Sequence, residues 1–167
     1  MPSILFQVVS GGQTGVDRAG LDAAIFHSIP HGGWCPEGRR AEDGKIPDRY
    51  QLRENGSRNY AIRTRQNVKD SDGTLILFKD SMSRGTELTS KCAGQLQRPL
   101  CCVDVAEFSD WSDDRFEEEL QQADDWIYEH QIKVLNIAGP RESTSPGIGA
   151  VAEAFLVRLF KIKISAK

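Results

Sequence analysis

The sequence has few of the features by which many protein classes are recognised. It contains four cysteines and no Cys-x-x-Cys pair, so neither a zinc site nor a thioredoxin-like motif has support. No apolar run approaches the length that crosses a membrane. The net charge is −3, and basic and aromatic residues are not interleaved, which argues against nucleic-acid binding. We therefore expect neither a membrane nor a nucleic acid among the partners.

Two familiar nucleotide-binding motifs and a secretion signal are missing as well. The glycine-rich turn at residues 11–15 lacks the Gly-x-Gly-x-x-Gly spacing of dinucleotide-binding proteins. It is also not followed by the Gly-Lys-Ser/Thr sequence of a P-loop. The N-terminal sequence lacks a charged segment followed by an apolar signal core, which predicts a cytoplasmic location. In a reducing compartment the four cysteines are expected to be free thiols in the core.

The composition is that of one globular domain, 1–167. The chain is 39% hydrophobic and 27% charged, which is ordinary for a domain with a buried core. Residues 39–69 carry nine basic and four acidic side chains, whereas residues 104–125 carry ten acidic and one basic. The basic segment indicates an anionic ligand, and the acidic segment is typical of a solvated helix face.

A glycine-rich turn, Gly11-Gly12-Gln13-Thr14-Gly15, follows the first apolar run, Ile4–Val9, and precedes a helical pattern. Free backbone N–H groups at a helix start face outward, and the helix dipole favours negative charge there. The turn is therefore a candidate cradle for an oxyanion or a phosphate. A tight turn between a strand and a helix needs small residues even without a ligand, so that alternative stays open.

Apolar runs and helical patterns alternate along the rest of the chain. Strands are predicted at 72–78, 100–105 and 133–138, and helices at 15–28, at 60–68, after Ser83, after Ser112 and from Pro146 with Ser145 as N-cap. Residues 32–47 predict an ordered, irregular loop, whose Arg39, Arg40 and Lys45 are either anion ligands or solvated. Continuous apolar runs are typical of strands buried on both faces. The alternation predicts a doubly wound, mainly parallel α/β sheet with helices on both faces.

Three predicted strands end in glycine-rich or polar loops. In doubly wound sheets, ligands bind beyond the carboxyl ends of the strands. We expect one site to be formed there by Gly11, Gly12, Gln13, Thr14, Gly15, Arg84, Gly85, Thr86, Gly139, Pro140, Arg141, Glu142 and Ser143.

Several motifs taken together resemble a known family. They are residues 10–19, SGGQTGVDRA; 33–44, GWCPEGRRAEDG; Arg63-Thr64-x-x-Asn67-Val68; 71–76, SDGTLI; and 138–143, AGPRES. The set is similar to the molybdenum carrier, or molybdenum cofactor carrier protein, family, and it covers nearly the whole chain. This family lies in a Rossmann-like superfamily with the LOG (lysine-decarboxylase-like) nucleotide hydrolases. Where the family usually has Gly-Gly-Thr, this chain has Arg84-Gly85-Thr86.

The resemblance implies a non-catalytic protein that binds and protects the molybdenum cofactor (molybdopterin), or molybdate. The cofactor phosphate would then bind the N–H groups of residues 12–15. Molybdenum-oxo oxygens would accept hydrogen bonds from Thr86, Ser143 or the guanidinium groups at 84 and 141. Cys35 is interpreted as a structural thiol, and no metal ligand is predicted. Implied partners are molybdoenzyme apoproteins or cofactor-synthesis proteins, and we expect a homo-oligomer.

Two other functions remain as alternatives, a LOG-like nucleotide phosphoribohydrolase and a nucleotide-sensing module. LOG proteins carry Pro-Gly-Gly-x-Gly-Thr-x-x-Glu, and the glutamate is needed for hydrolysis. Counting from Gly85-Thr86, the residue at the glutamate position is Thr89, and Glu87 lies elsewhere on the helix. The substitution weakens the enzyme alternative.

Overall fold

The computed structural model describes residues 5–164, so Ile4, the predicted start of the first strand, lies outside the described residues. The α-helices are α1 (Val16–Phe26), α2 (Tyr60–Lys69), α3 (Arg84–Gln95), α4 (Asp113–Glu129) and α5 (Ile148–Ile164). The strands are β1 (Gln7–Val9), β2 (His31–Gly32), β3 (Trp34–Cys35), β4 (Arg40–Ala41), β5 (Gly44–Lys45), β6 (Arg53–Glu54), β7 (Gly73–Phe78), β8 (Leu100–Asp104) and β9 (Val134–Ala138).

Five strands form a parallel central sheet in the order β2-β1-β9-β7-β8. Helices α1, α4 and α5 pack together in one layer, and α2 and α3 pack together in the other. This arrangement confirms the predicted doubly wound α/β fold. The predicted loop at 32–47 is less irregular than expected, since β3 pairs with β6 in parallel and β4 pairs with β5 in an antiparallel hairpin.

The main core lies between the sheet and the layer of α1, α4 and α5. The predicted amphipathic stripe of α4 is confirmed, because Leu120, Ala123 and Ile127 are buried while the acidic side is exposed. Phe155 and Phe160 of α5 are fully buried in the same cluster. These apolar side chains fix the helices on the sheet, which in turn places the loops at its carboxyl edge.

The cysteines do not share one environment. Cys35 and Cys92 are buried, as predicted, and all four cysteines are free thiols. Cys101 is partly buried and packs against the main core. Cys102 is exposed, so its prediction as a core thiol was wrong. Both lie on β8, which is an edge strand of the central sheet, and an edge strand is not covered on every side.

One helix start was predicted correctly and another was not. Ser112 caps α4, because its hydroxyl accepts a hydrogen bond from Arg115 N. The last helix begins at Ile148 rather than at Pro146. The carboxylate of Glu142 accepts hydrogen bonds from Gly147 N at 2.5 Å and Gly149 N at 3.1 Å, so a side chain of the preceding loop satisfies the first donors of α5.

Truncation of Phe155 is expected to test the position of the core. Phe155→Ala removes a fully buried ring and should lower the free energy of unfolding by about 3–5 kcal/mol. Phe26→Ala is the matched control, because this ring is 71% exposed on α1. Urea unfolding followed by tryptophan fluorescence measures both. An equal loss of stability in the two variants would contradict the assigned core.

Candidate functional site

A cleft of about 280 Å³ opens at the carboxyl edge of the central sheet. Its walls come from the first glycine-rich turn, from one side of α2, from the start of α3 and from the loop after β9. The lining residues are Gln13, Asp17, Tyr60, Ala61, Arg63, Thr64, Ser83, Arg84, Gly85, Leu88, Thr89, Ala138, Gly139, Pro140, Arg141 and Thr144. All three loops that the sequence singled out thus contribute to one cleft.

The predicted site residues fall into three groups. Those that line the cleft are Gln13, Arg84, Gly85, Gly139, Pro140 and Arg141. Gly11 lines a much smaller cavity of about 10 Å³ in the cleft floor, which is close to the space of one water molecule. The residues that line neither are Gly12, Thr14, Gly15, Thr86, Glu142 and Ser143.

Three backbone N–H groups of the glycine-rich turn, those of Gly12, Gln13 and Thr14, are already hydrogen-bonded within the protein. Gln13 N donates to Asp17 Oδ2 at 3.2 Å, and Thr14 N donates to Gln13 Oε1 at 3.1 Å. Val16 N donates to Pro140 O at 3.3 Å. A phosphate that used these donors would have to displace Asp17 or the Gln13 side chain.

The glycine at position 15 joins the turn to the loop after β9. Gly15 has a φ of +79°, which favours glycine, and a Cβ there would lie 2.4 Å from Pro140 O. A larger residue would therefore push the two loops apart.

The carboxylate of Glu42, at the tip of the β4–β5 hairpin, holds these loops together. It accepts hydrogen bonds from the hydroxyl groups of Thr14 and Ser143, and from Ser143 N at 3.2 Å. Arg141 Nη1 lies 4.0 Å from Glu42 Oε2. Desolvation raises the pKa of this carboxyl, but the hydrogen bonds and the arginine charge outweigh it and lower the pKa overall. The charged form is therefore the one that holds the loops.

Thr86 serves the first turn of α3. It is buried, and its hydroxyl oxygen lies 3.0 Å from the hydroxyl of Ser83, which caps this helix. Its neighbour Arg84 is exposed and lines the cleft. Of the Arg-Gly-Thr motif, the first two residues thus contribute to the wall and the third to the helix.

A buried ion pair forms the floor. Asp17 Oδ2 and Arg63 Nη1 are 3.0 Å apart, and their side chains are only 5% and 13% exposed. Burial raises the pKa of the Asp17 carboxyl, and the Arg63 charge and the bond from Gln13 N oppose that rise. A Cβ on Gly11 would lie 1.6 Å from Arg63 Nη1, so this glycine is needed to admit the guanidinium group.

The charge of the cleft is positive although that of the chain is negative. Arg63, Arg84 and Arg141 line it against the single carboxylate of Asp17. The ring of Tyr60 forms part of the wall, with the guanidinium carbons of Arg63 and Arg141 at 5.8 and 5.9 Å from its centroid. The arrangement combines positive charge with an aromatic surface, which suits a planar anion.

A larger cavity, of about 540 Å³, lies beside the edge strand β2. Its lining includes Trp34, Arg53 and Asp70 but none of the predicted site residues. One arginine and one aspartate give it no excess of positive charge, so it does not fit an anion as the cleft does.

Comparison with known proteins identifies the family. The model of the circularly permutated YpsA SLOG family matches residues 8–160. The chain belongs to this family. No curated protein matches it significantly. A crystal structure of a Syntrophus aciditrophicus SB protein, provisionally named a molybdenum carrier protein, is 43% identical, covers 95% of this chain and 96% of its own, and superposes with a TM-score of 0.85. The predicted family and LOG-like superfamily are thereby confirmed.

Within this SLOG chain, the prediction overlooked several residues of the cleft and its support. Arg63, Tyr60 and Glu42 were not among the predicted site residues. Arg63 belongs to a motif that carried the family resemblance, and it lies in the basic segment 39–69. The sequence therefore already indicated Arg63 as a candidate site residue. Arg39, left open above, donates to the carbonyl oxygens of Ile46, Pro47, Tyr50 and Leu52, and so orders its own loop.

No helix within residues 5–164 is long and apolar enough to cross a bilayer. In the same range, no group of three or more His, Cys, Asp or Glu side chains is placed to hold a metal ion.

Removal of the Glu42 charge should weaken the SLOG chain in a pH-dependent way. Glu42→Gln is expected to lower the free energy of unfolding by about 1–2 kcal/mol at neutral pH, because hydrogen bonds to a charged acceptor are stronger. The lowered pKa means that this stabilisation is complete above the unfolded pKa near 4.5 and is lost as pH falls through the folded value. Urea unfolding across the acidic range measures the difference.

Glu153→Gln provides the control for this charge change. Glu153 is exposed on α5 and makes no hydrogen bond or ion pair with the described residues, so its replacement should leave stability nearly unchanged. A Glu42→Gln effect that persisted undiminished at low pH would contradict the role of the charged carboxylate.

Proposed function

We propose that the cleft binds the molybdenum cofactor, an anionic phosphorylated pterin, and that the protein stores and carries it without chemical change. The observation that carries this proposal is the set of three guanidinium groups that line one cleft. Asp17 is the carboxylate among the lining residues, and Glu42 lies behind the lining at 4.0 Å from Arg141. Because the chain as a whole has a net charge of −3, this local excess marks the cleft as a place for an anion. The provisional name of the Syntrophus aciditrophicus protein supports the same ligand.

The exposed arginines are the groups best placed for a phosphate. Arg84 begins α3 and is exposed, and the side chain of Arg141, on the loop after β9, is 44% exposed. A guanidinium group binds a phosphate through two parallel N–H donors. Gln13, Gly85, Gly139 and Pro140 would form the remaining walls of the site. Tyr60 offers a flat surface to the pterin ring.

The same chemistry would also hold molybdate or a nucleotide, which are the alternatives to the intact cofactor. Recipients of the cofactor would be molybdoenzyme apoproteins or cofactor-synthesis proteins. A cytoplasmic location and a homo-oligomeric state belong to this proposal as well.

A nucleotide hydrolase is the weaker candidate on the chemistry of the cleft. Thr89 stands where LOG proteins have their glutamate, and its hydroxyl donates to Gly85 O at 3.1 Å. Asp17 is the one carboxylate that lines the cleft within the described residues, and it is engaged in the ion pair with Arg63. Neither group is free to act as a general base.

Loss of either exposed arginine should weaken ligand binding without unfolding the protein. Arg84→Ala and Arg141→Ala are each expected to lower affinity for released cofactor by roughly tenfold to a hundredfold, the value of a charged hydrogen bond. The melting temperature should stay nearly constant. Equilibrium titration at low and high salt measures the effect, and salt should weaken wild-type binding.

The control is Arg65→Ala, which removes the same charge from the exposed side of α2, where Arg65 donates only to Gln95. Its affinity should match that of the wild type. The carrier role itself is tested by reconstitution of a molybdoenzyme apoprotein after storage of the cofactor with this protein. Absence of protection at saturating protein would refute the proposal.

No hydrolysis of nucleoside monophosphates is expected, since the cleft lacks a free carboxylate at the Thr89 position. Chromatography of the reaction mixture should detect no free base above the level without protein. Release of base that disappears in Glu87→Gln would instead establish the hydrolase alternative.

A further inference from the structure

In the ion pair of the cleft floor, one carboxylate oxygen of Asp17 contacts one terminal nitrogen of Arg63. Asp17 Oδ2 accepts from Arg63 Nη1 and from Gln13 N. No described residue donates a hydrogen bond to Asp17 Oδ1, and Arg63 Nη2 donates none to a described residue. Both side chains line the cleft. The two residues of the floor therefore have one hydrogen-bond acceptor, Asp17 Oδ1, and one donor, Arg63 Nη2, that no described residue uses.

Both side chains are held in place by the surrounding protein. The main-chain oxygen of Asp17 accepts from Ser10 Oγ at 2.9 Å, and its carboxylate is fixed by the two donors described above. Arg63 lies against Gly11, and its Nε is buried without a hydrogen-bond partner among the described residues. Asp17 Oδ1 and Arg63 Nη2 are thus held in position before a ligand arrives, which lowers the entropic cost of binding one.

We propose that Asp17 and Arg63 recognise a lactam edge, an adjacent C=O and N–H of a planar ring. The ring N–H would donate to Asp17 Oδ1, and the ring carbonyl would accept from Arg63 Nη2. The substrate class is thus a phosphorylated 4-oxopyrimidine-type heterocycle, such as a pterin or a guanine. Molybdate offers only acceptors, and the Asp17 carboxylate disfavours it.

This assignment deepens the proposed function and rests on it, since it places the ring of the anionic ligand in the same cleft. The exposed arginines would hold the charged end of the ligand near the mouth, and the floor would select the ring. Charge alone attracts many anions, whereas a donor–acceptor pair at fixed positions distinguishes among them.

The wild-type protein tests the assignment with three probes, namely pterin, 3-methylpterin and sodium molybdate. Isothermal titration should show that methylation of the ring nitrogen weakens binding by roughly tenfold or more, because it removes the donor to Asp17 and leaves that acceptor unsatisfied. Equal affinity for pterin and 3-methylpterin would overturn the assignment. This comparison requires no variant and so does not depend on the folding of one.

Asp17→Asn adds a test in which the two ligands respond in opposite directions. Gln13 N and Arg63 Nη1 should retain the amide oxygen, so the amide NH₂ would replace Oδ1 in the cleft. Pterin affinity should fall by roughly tenfold or more, and molybdate affinity should rise. A lower melting temperature is expected in either case, because the substitution leaves the buried Arg63 charge without its partner. A parallel loss of affinity for both ligands, measured where the variant is folded, would overturn the assignment.

The two proposals fail separately. Discrimination between pterin and 3-methylpterin without protection of the cofactor would leave the lactam-binding floor intact and refute the carrier role. Protection of the cofactor without that discrimination would support the carrier role and refute the lactam-binding floor. Stronger binding of molybdate to the wild type than to Asp17→Asn would overturn the assigned role of the carboxylate.

Discussion

The buried ion pair between Asp17 and Arg63 is the interaction on which the site depends. It joins the first turn of α1 to the middle of α2, at the point where the glycine-rich turn passes between them. Removal of one partner would leave the other as an uncompensated buried charge, which is strongly unfavourable. The pair therefore fixes the spacing of two helices from opposite layers and, with it, the depth of the cleft.

Around this pair, the loops are held by groups other than those that face the cleft. Glu42 bonds Thr14 and Ser143 from outside, and Glu142 caps α5 while its own N–H donates to Thr14 Oγ1 at 3.2 Å. Some polar residues of these loops thus hold the loops together, and others face the cleft. Arg84 makes no ion pair with a described residue. Glu42, which lies 4.0 Å from Arg141, already accepts hydrogen bonds from two hydroxyl groups and a backbone N–H.

The order of strands and helices could be predicted because it depends on local patterns. Buried parallel strands are continuously apolar, and a serine before an amphipathic helix satisfies that helix's first donors, as Ser112 does. Position 145 offered the same local signal, but a carboxylate three residues earlier in the chain reaches those donors instead. The contact of Glu42 with Ser143 joins residues about a hundred positions apart, and no local rule indicates it. The prediction omitted Arg63 from the site for the same reason, because the packing of α2, and not a local pattern, brings its side chain to the cleft floor.

The contact between Gly11 and Arg63 also bears on how this sequence can change in evolution. A side chain at position 11 would occupy the space of the guanidinium group, so a mutation there requires the arginine to leave its ion pair with Asp17 or to be replaced. Without this ion pair the buried carboxylate of Asp17 has no opposing charge, which favours a change at position 17 as well. Positions 11, 17 and 63 should accordingly be inherited as a set, and homologues that have replaced one are expected to have replaced all three and to bind a different ligand.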